Sequence, residues 1–530
     1  MKLPRLKHGS GMRRSGQVAF GGLNHTEGAA DGELWDMENL TSDHFPLLAS
    51  RPERGIIQTL TNGGGIFSWE GLVTVDGTGF YYKGQEKGQV AEGQKTFAAM
   101  GSWIVIFPDK KAYNVDTEEF VSMESRWSGS GVSFQDGILY GQEAKANAIY
   151  KEGENWAELF RAGDAVTISG CTAQPGNNQS IIIRAIDGDK LYFYEHSFQL
   201  GEEGQACTET GEVSIARTVP DLKFLCENEN RLWGCVDDTI YASKLGDIFN
   251  WNVYDGLDTD AWAVDTGSAG KFTGCVSFQG YPIFFKEDHI YKIYGSMPSN
   301  FDVLGSATMG LDAGSERSLA VAGETLFYLG RNGVTAYTGG IPRCIGAAFG
   351  LQRFCNAAAG TDGMKYYISM RSDKGRWGLY VYDTRTGQWH REDDLQVRQF
   401  AWQGGRLHML TESGKILATV RKEEDSEKEG IVPWFAEFSD FTENSPDKKR
   451  VGKILIRLEL ERGAFAMVQV MYDSSGMWEK VGEVMCQGEK RSCYLPVRIR
   501  RCDHYRIRIR GKGGCLIHSL AREYNTGSPR

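Results

Sequence analysis

At 530 residues the chain is too long for one ordinary hydrophobic core, and its formal net charge of −10 argues against a general nucleic-acid binder, which needs a basic surface. Aromatic residues at 12% and 66 glycines against 13 prolines suit many short strands and tight turns, and no run reaches the ~20 apolar residues of a bilayer-crossing helix. The 11 cysteines are odd in number and form no C-x-x-C pair, which argues against a disulfide framework or a cysteine zinc site; reduced thiols in a cytoplasmically made protein are expected.

The start, MKLPRLKHGSGMRRSG, is basic with no apolar segment after it, so no secretory signal is expected. Residues 1–60 read as an extended arm and lead-in: GGLNHTEGAADGELWDMENLTSDHFPLLASRPERG sets Leu34, Trp35, Met37, Leu40 and Leu48 among turn formers.

A repeating pattern follows, of apolar strand, short turn, apolar strand and aromatic-ended strand. Its copies are FSWEGLVTVDGTGFYYK from Phe67, AAMGSWIVIFPDKKAYNVD from Ala98, FLCENENRLWGCVDDTIYASK from Phe224 and VSFQGYPIFFKEDHIYKIYG from Val276. Three more are LAVAGETLFYLGRNGVTAY from Leu319, AAAGTDGMKYYISMRSDKGRWGLYVYD from Ala357 and FAWQGGRLHMLTESGKILATV from Phe400. Units of three or four strands at roughly 30–50-residue spacing predict an all-β fold built on a β-propeller of six to eight blades, seven favoured, the number staying open because strands can be donated between termini to close a ring. First blades are expected over 61–155, with VSFQDGILYGQEAKANAIYK from Val132 as a weak unit, and the remaining blades over 221–420. Between them, 156–220 carries AVTIS, SIIIRAI, KLYFYE and VSIAR separated by Pro-Gly-Asn-Asn and Asp-Gly-Asp turns, which predicts an inserted small β-barrel. Residues 421–432 read as a charged linker, and the period-two runs over 433–525, among them KILIRLELE and YRIRIRG, predict a C-terminal β-sandwich.

Catalytic signatures are missing. There is no G-x-S-x-G, H-E-x-x-H, G-x-x-x-x-G-K or helix-opening G-x-G-x-x-G, the nine histidines never fall at metal-ligand spacing, and the pairs Asp237/Asp238 and Asp393/Asp394 sit in turns. No enzymatic activity, cofactor or metal is expected. YDTRTGQWHRED from Tyr382 looks like half a kelch blade with Trp389 as a packing residue, and YDSSGMWEK from Tyr472 resembles a sialidase Asp-box except that Met471 stands where Ser or Thr belongs.

Two charge clusters are candidate interaction sites. YDGLDTDAWAVD gathers Asp255, Asp258, Asp260 and Asp265, candidates for lining a channel against the plainer reading of a solvated turn or incidental cation site; Arg498, Arg500, Arg501, Arg506, Arg508 and Arg510 alternate with apolar residues and read first as a solvated sheet face, then as a docking face for an acidic neighbour subunit, then as a DNA contact.

The lead-in ending in Arg-Pro, together with NRLWGCVDDTIYASKLGDIFNW and SLAVAGETLFYLGRNGVTAYTGG, resembles bacteriophage tail structural proteins of the propeller type, podovirus-like tail nozzles (tubular tail protein B) or tail hubs, over most of residues 17–525. That resemblance implies a virion protein assembled in the host cytoplasm. It further implies a homo-oligomer, hexamer favoured, that adjoins other tail or connector proteins and rings a channel which double-stranded DNA crosses during ejection without sequence-specific binding; contact with the host surface stays open. The alternatives are a glycan-binding propeller, with Trp251, Trp262 and Tyr254 stacking on sugar rings, and a polysaccharide hydrolase.

Overall fold

The computed structural model describes residues 12–26, 28–139, 144–444, 448–488, 491–497 and 499–526. The chain is all-β, 52% strand, and its helical stretches are single 3-10 turns. It divides into two compact units, residues 62–316 and residues 1–61 with 317–530.

The 62–316 unit contains four antiparallel meanders of four strands each, running in chain order. The first is Gly63–Ser68, Leu72–Asp76, Gly79–Tyr82 and Gln85–Gln89; the second is Thr96–Met100, Trp103–Phe107, Lys111–Asn114 and Phe120–Ser122. The third is Phe224–Asn228, Arg231–Val236, Thr239–Ala242 and Trp262–Asp265; the fourth is Gly274–Phe278, Tyr281–Phe285, His289–Tyr294 and Asp302–Ala307. Tight hairpins make this possible. Glu229 and Asn230 both take positive φ, as do Gln279 and Gly280, the backbone that lets two residues reverse a strand without splaying it.

Period-two side chains then stack the meanders on one another. In Trp103–Phe107, Ile104 and Ile106 pack with Val73, Val75 and Phe80 of the first meander, while Val105 and Phe107 point the other way onto Leu225 and Leu232 of the third. Leu232 shares that second core, and its neighbours Trp233 and Cys235 face Phe284 and Tyr291 of the fourth meander. An inner strand is thus apolar on both faces, and each fully buried Ile or Val contributes about 1.5–3 kcal/mol. The last strand of the fourth meander, Asp302–Ala307, is largely exposed.

The insertion differs from its expected form in two ways. Val132–Leu139 and Ala144–Tyr150, expected as a weak blade, pair with Cys207–Glu209 and Lys190–Tyr194, so the inserted domain runs from Ser125 to Arg217 and not from 156 to 220. Among the described residues it closes no barrel: one four-stranded and one five-stranded sheet share a core containing Trp127, Phe134, Trp156, Phe193 and Ile215. The Trp127 and Trp156 rings lie 5.1 Å apart, which places residues on both sides of the expected boundary in one core.

The other unit has three meanders. Two are Ala320–Ala322, Thr325–Gly330, Gly333–Tyr337, Arg343–Cys344 and Phe354–Thr361, Lys365–Ser372, Trp377–Asp383, Gln388–Arg391. In the last, Val397–Gln403, Arg406–Thr411 and Lys415–Ala418 take their fourth strand from the N-terminal side, Gly55–Thr59, and Glu427–Lys428 pairs with the same segment. Residues 421–432 are therefore tied into a sheet and do not behave as a free linker.

The lead-in is built into the C-terminal sheets. Leu34–Glu38 pairs with Pro433–Phe438 in a five-stranded sheet that continues through Tyr505–Lys512, Phe465–Tyr472 and Glu479–Met485. Leu40–Thr41, Leu48–Ser50 and Arg13–Gln17 join a second sheet with Cys515–Thr526, Lys449–Leu460 and Arg491–Val497. Val468, Val470, Ile507 and Ile509 of the first sheet and Ile454, Ile456 and Leu458 of the second belong to one core. Residues 1–11 of the expected arm lie outside the described residues.

Candidate functional site

Within the 62–316 unit, a groove of about 510 Å³ opens between the third and fourth meanders, lined by Asp265, Thr266, Ser268, His289, Tyr291 and Gly305 among others. Gly305 sits opposite Tyr291 across the hairpin, where a Cβ would come 2.7 Å from the ring, so glycine keeps the groove open. Beneath it, Lys286 is buried. Its Nζ donates to Ser268 Oγ at 2.7 Å and to the Ser268 carbonyl at 3.0 Å, pairs with Asp238, and lies 5.0 Å from the centre of the Phe272 ring. A Ser–Lys pair can form a nucleophile and base. Here the ammonium already has a partner for each of its three hydrogens, and it acts as a strut between strands. Burial pushes the Asp238 carboxyl up, but hydrogen bonds from Lys286 and Thr266 outweigh it and hold the group below the usual carboxylate range.

The expected channel aspartates do not act as a set. Asp260 is buried: its carboxylate accepts from the Leu257 amide at 3.0 Å, and Arg231 donates to the Asp260 and Asp258 carbonyls, so the loop needs its backbone and one carboxylate for internal bonding. Asp255, Asp258 and Asp265 are exposed, and Asp265 accepts from Thr239. The expected sugar-stacking group is likewise dispersed. Trp251 is buried, Trp262 packs edge-on against Trp233 and Phe301, and of the three only Tyr254 is well exposed.

The arginines divide. Arg506 and Arg508 converge on buried Glu437 at 3.0 Å and 2.5 Å, Arg506 also binds Asp440, and Arg508 stacks 4.0 Å from the Trp478 ring centre. Both are neutralised inside their own sheet, which removes them from the docking set. Arg500 pairs with Glu479 at 2.8 Å and lies over Tyr472. Arg501 and Arg510 are exposed, and Arg498 lies outside the described residues.

Sequence reading missed an ion cluster built on two buried arginines, Arg51 and Arg54. Arg54 donates to Glu392 at 2.5 Å and Asp393 at 2.6 Å, and Arg51 makes a two-pronged contact with Glu429 at 2.8 Å and 2.7 Å. Burial raises the Asp393 carboxyl, yet Arg54 and Arg51 prevail and lower it; Glu429 is lowered in the same way, chiefly by Arg51. The available signal was the pair of arginines in RPERG beside a strand. The other paired carboxylates are also engaged: Asp237 with Lys271, and Asp394 with Arg391.

Asp473, Asp503 and His504 bring possible cation ligands within 4.8 Å of one another. The register that sets Tyr472 against Tyr505 brings Asp473 beside Asp503 and His504, distant in sequence and beyond any local ligand spacing. Asp473 accepts from the Asp503 amide and His504 bonds Ser474, so the cluster is internally connected.

No family model matches the chain, and no curated protein does. Among solved structures, the computationally designed Ika8 protein is similar at 11% identity and a TM-score of 0.31, covering 69% of this chain and 99% of that one. BamB from Moraxella catarrhalis is similar at 11% identity and 0.27, covering 70% and 98%. An exo-β-1,3-galactanase from Phanerochaete chrysosporium is similar at 9% and 0.21, covering 55% and 92%. At these TM-scores the likenesses carry no argument about function.

Proposed function

We propose that the seven meanders are blades of a β-propeller bearing a two-sheet insertion and a C-terminal β-sandwich, and that the protein is a structural, non-enzymatic component of a phage tail, a nozzle or hub. It assembles as a homo-oligomeric ring around the DNA channel, beside other tail or connector proteins, and serves DNA retention and ejection. The observation that carries this reading is the strand Gly55–Thr59 completing the sheet of Val397–Ala418 while flanking lead-in strands join the C-terminal sheets. Both ends of the chain are thereby locked into one framework, as a part under ejection stress requires. The resemblance of the lead-in and blade motifs supports the tail assignment. A net charge of −10 suits a conduit from which phosphate is repelled.

The test is mass spectrometry of purified particles together with negative-stain imaging of the purified protein. The reading expects the chain in the particle and a ring in the image. Absence from particles, or a monomer at every concentration used for assembly, refutes it.

A further inference from the structure

Two surfaces, one in each unit, have the same unusual composition with opposite charge. The first is the ordered loop between Thr239–Ala242 and Trp262–Asp265. It exposes Leu245, Tyr254 and Leu257 at 41%, 59% and 58%, together with Asp255 and Asp258. The loop is held rigidly: buried Arg231 donates to three backbone carbonyls, of Ser243, Asp258 and Asp260, the Leu245 amide donates to Thr259, and Trp251 is fixed in the core below. Leu245, Leu257 and the ring of Tyr254, whose hydroxyl donates to the Trp251 carbonyl, leave a large apolar surface in water on a fixed loop, beside two carboxylates without an ion pair among the described residues.

The second is the outer face of the five-stranded sheet. Cross-strand register sets Phe435 and Met467 on either side of Arg510, and Phe465 between Lys512 and Met485. Met485 is 56% exposed, Phe435, Phe465 and Met467 are half-buried, and Arg510 and Lys512 are exposed with no ion pair among the described residues. Along the same strand Arg506 and Arg508 are neutralised by Glu437 and Asp440, so the residual positive charge falls on the aromatic and methionine end. Arg, Phe and Met around a flat strand surface make up the composition enriched at interface cores.

We propose that the Leu245–Asp258 loop of one copy of this chain docks on the Phe435/Phe465/Met467/Arg510 face of a second copy, Asp255 and Asp258 meeting Arg510 and Lys512. This rests on the homo-oligomer reading above and specifies its contact. It also reassigns Asp255 and Asp258 from a channel wall to a subunit interface. Because the two surfaces differ, the contact is heterologous: repeated head to tail, it closes into a ring if the rotation permits and extends as a filament if it does not. The rigid loop loses little entropy on binding, and the apolar residues would occupy the centre of an interface of about 800 Å² per partner.

The experiment uses the full chain in three forms, wild type, Asp255→Lys/Asp258→Lys and Arg510→Glu/Lys512→Glu, with mass photometry at fixed salt. All four positions are exposed, and circular dichroism checks that the folds are equal. Each double variant is expected to weaken assembly at least tenfold, since like charges then face each other. An equimolar mixture of the two is expected to recover assembly, because each variant's altered surface complements the other's. Unaltered assembly of both variants, or a mixture that stays dissociated, overturns the proposed contact while leaving the oligomer reading intact. A wild-type chain that is monomeric throughout removes both.

Discussion

His390 offers a test in which the sign and size of an effect follow from its position. It lies on the last strand of the Phe354–Arg391 meander, buried, with Nδ1 lacking a hydrogen-bond partner and with Lys365, Asp383 and Asp43 around it. Burial, helped by the Lys365 ammonium, pushes its pKa from 6.5 down to about 4 against the opposing pull of Asp383 and Asp43. The folded state therefore binds the proton less well than the unfolded chain. Stability from this group is complete above pH 6.5 and is lost as pH falls toward 4, where the loss levels off. With about 1.4 kcal/mol per pH unit, the loss comes to about 2 kcal/mol at pH 5 and about 3 kcal/mol at pH 4. Urea denaturation of wild type and His390→Gln at pH 7.5 and 5.0 measures it. His408, also lowered by burial, contributes equally to both proteins and cancels in the comparison. Asp393 and Glu429, held below the carboxylate range, lose their contribution only at more acid pH. Wild type should lose about 2 kcal/mol more than the variant between the two pH values. Equal losses would refute the claim that His390 is kept neutral by its surroundings.

Arg54→Ala removes the guanidinium that bonds buried Glu392 and half-buried Asp393, leaving only Arg51 at 3.9 Å and 3.6 Å, and should cost about 1.5–3 kcal/mol, read as a lowered thermal midpoint, with Arg54→Lys recovering only part because one ammonium cannot span both carboxylates. Trp156→Ala empties the centre of the inserted core and leaves the Asp189 carbonyl without its indole donor; a loss of about 3–5 kcal/mol should appear first as faster hydrogen exchange over residues 125–217. Gly22→Ala would place a Cβ 2.2 Å from the Trp389 carbonyl, which accepts the Leu23 amide, so about 1–3 kcal/mol of destabilisation is expected in the same denaturation assay.

Much of the fold is legible in residue order because its contacts are local. Ile104 and Ile106 alternating with Val105 and Phe107 announce a strand buried on both faces, and the hairpin turns mark its ends. What is not legible depends on register between distant segments. Nothing in Gly55–Thr59 says that its partner is Lys415–Ala418; the repeat allows a strand to be donated between termini but does not point to one. The same applies to Arg506 and Arg508: their alternation reveals a shared face, but Glu437, on which both converge, lies on another strand about 70 residues away and is found only once the sheets are paired. Asp260 fails as a surface charge for a different reason. Its role is fixed by main-chain carbonyls that Arg231 requires, and backbone acceptors leave no mark in a sequence.

The strand Arg13–Gln17 finds its partner in Cys515–Thr526, and Gly55–Thr59 finds its partners in Lys415–Ala418 and Glu427–Lys428. On the ribosome, at ~5–20 residues per second, the earliest strands are therefore made roughly 20 to 100 s before the last of their partners exists. Residues 62–316, whose meanders pair within themselves, can complete their sheets during that interval. The N-terminal strands meanwhile emerge with open hydrogen-bonding edges, so the yield of folded protein should depend on translation speed and on holdase chaperones that shield that segment until synthesis ends.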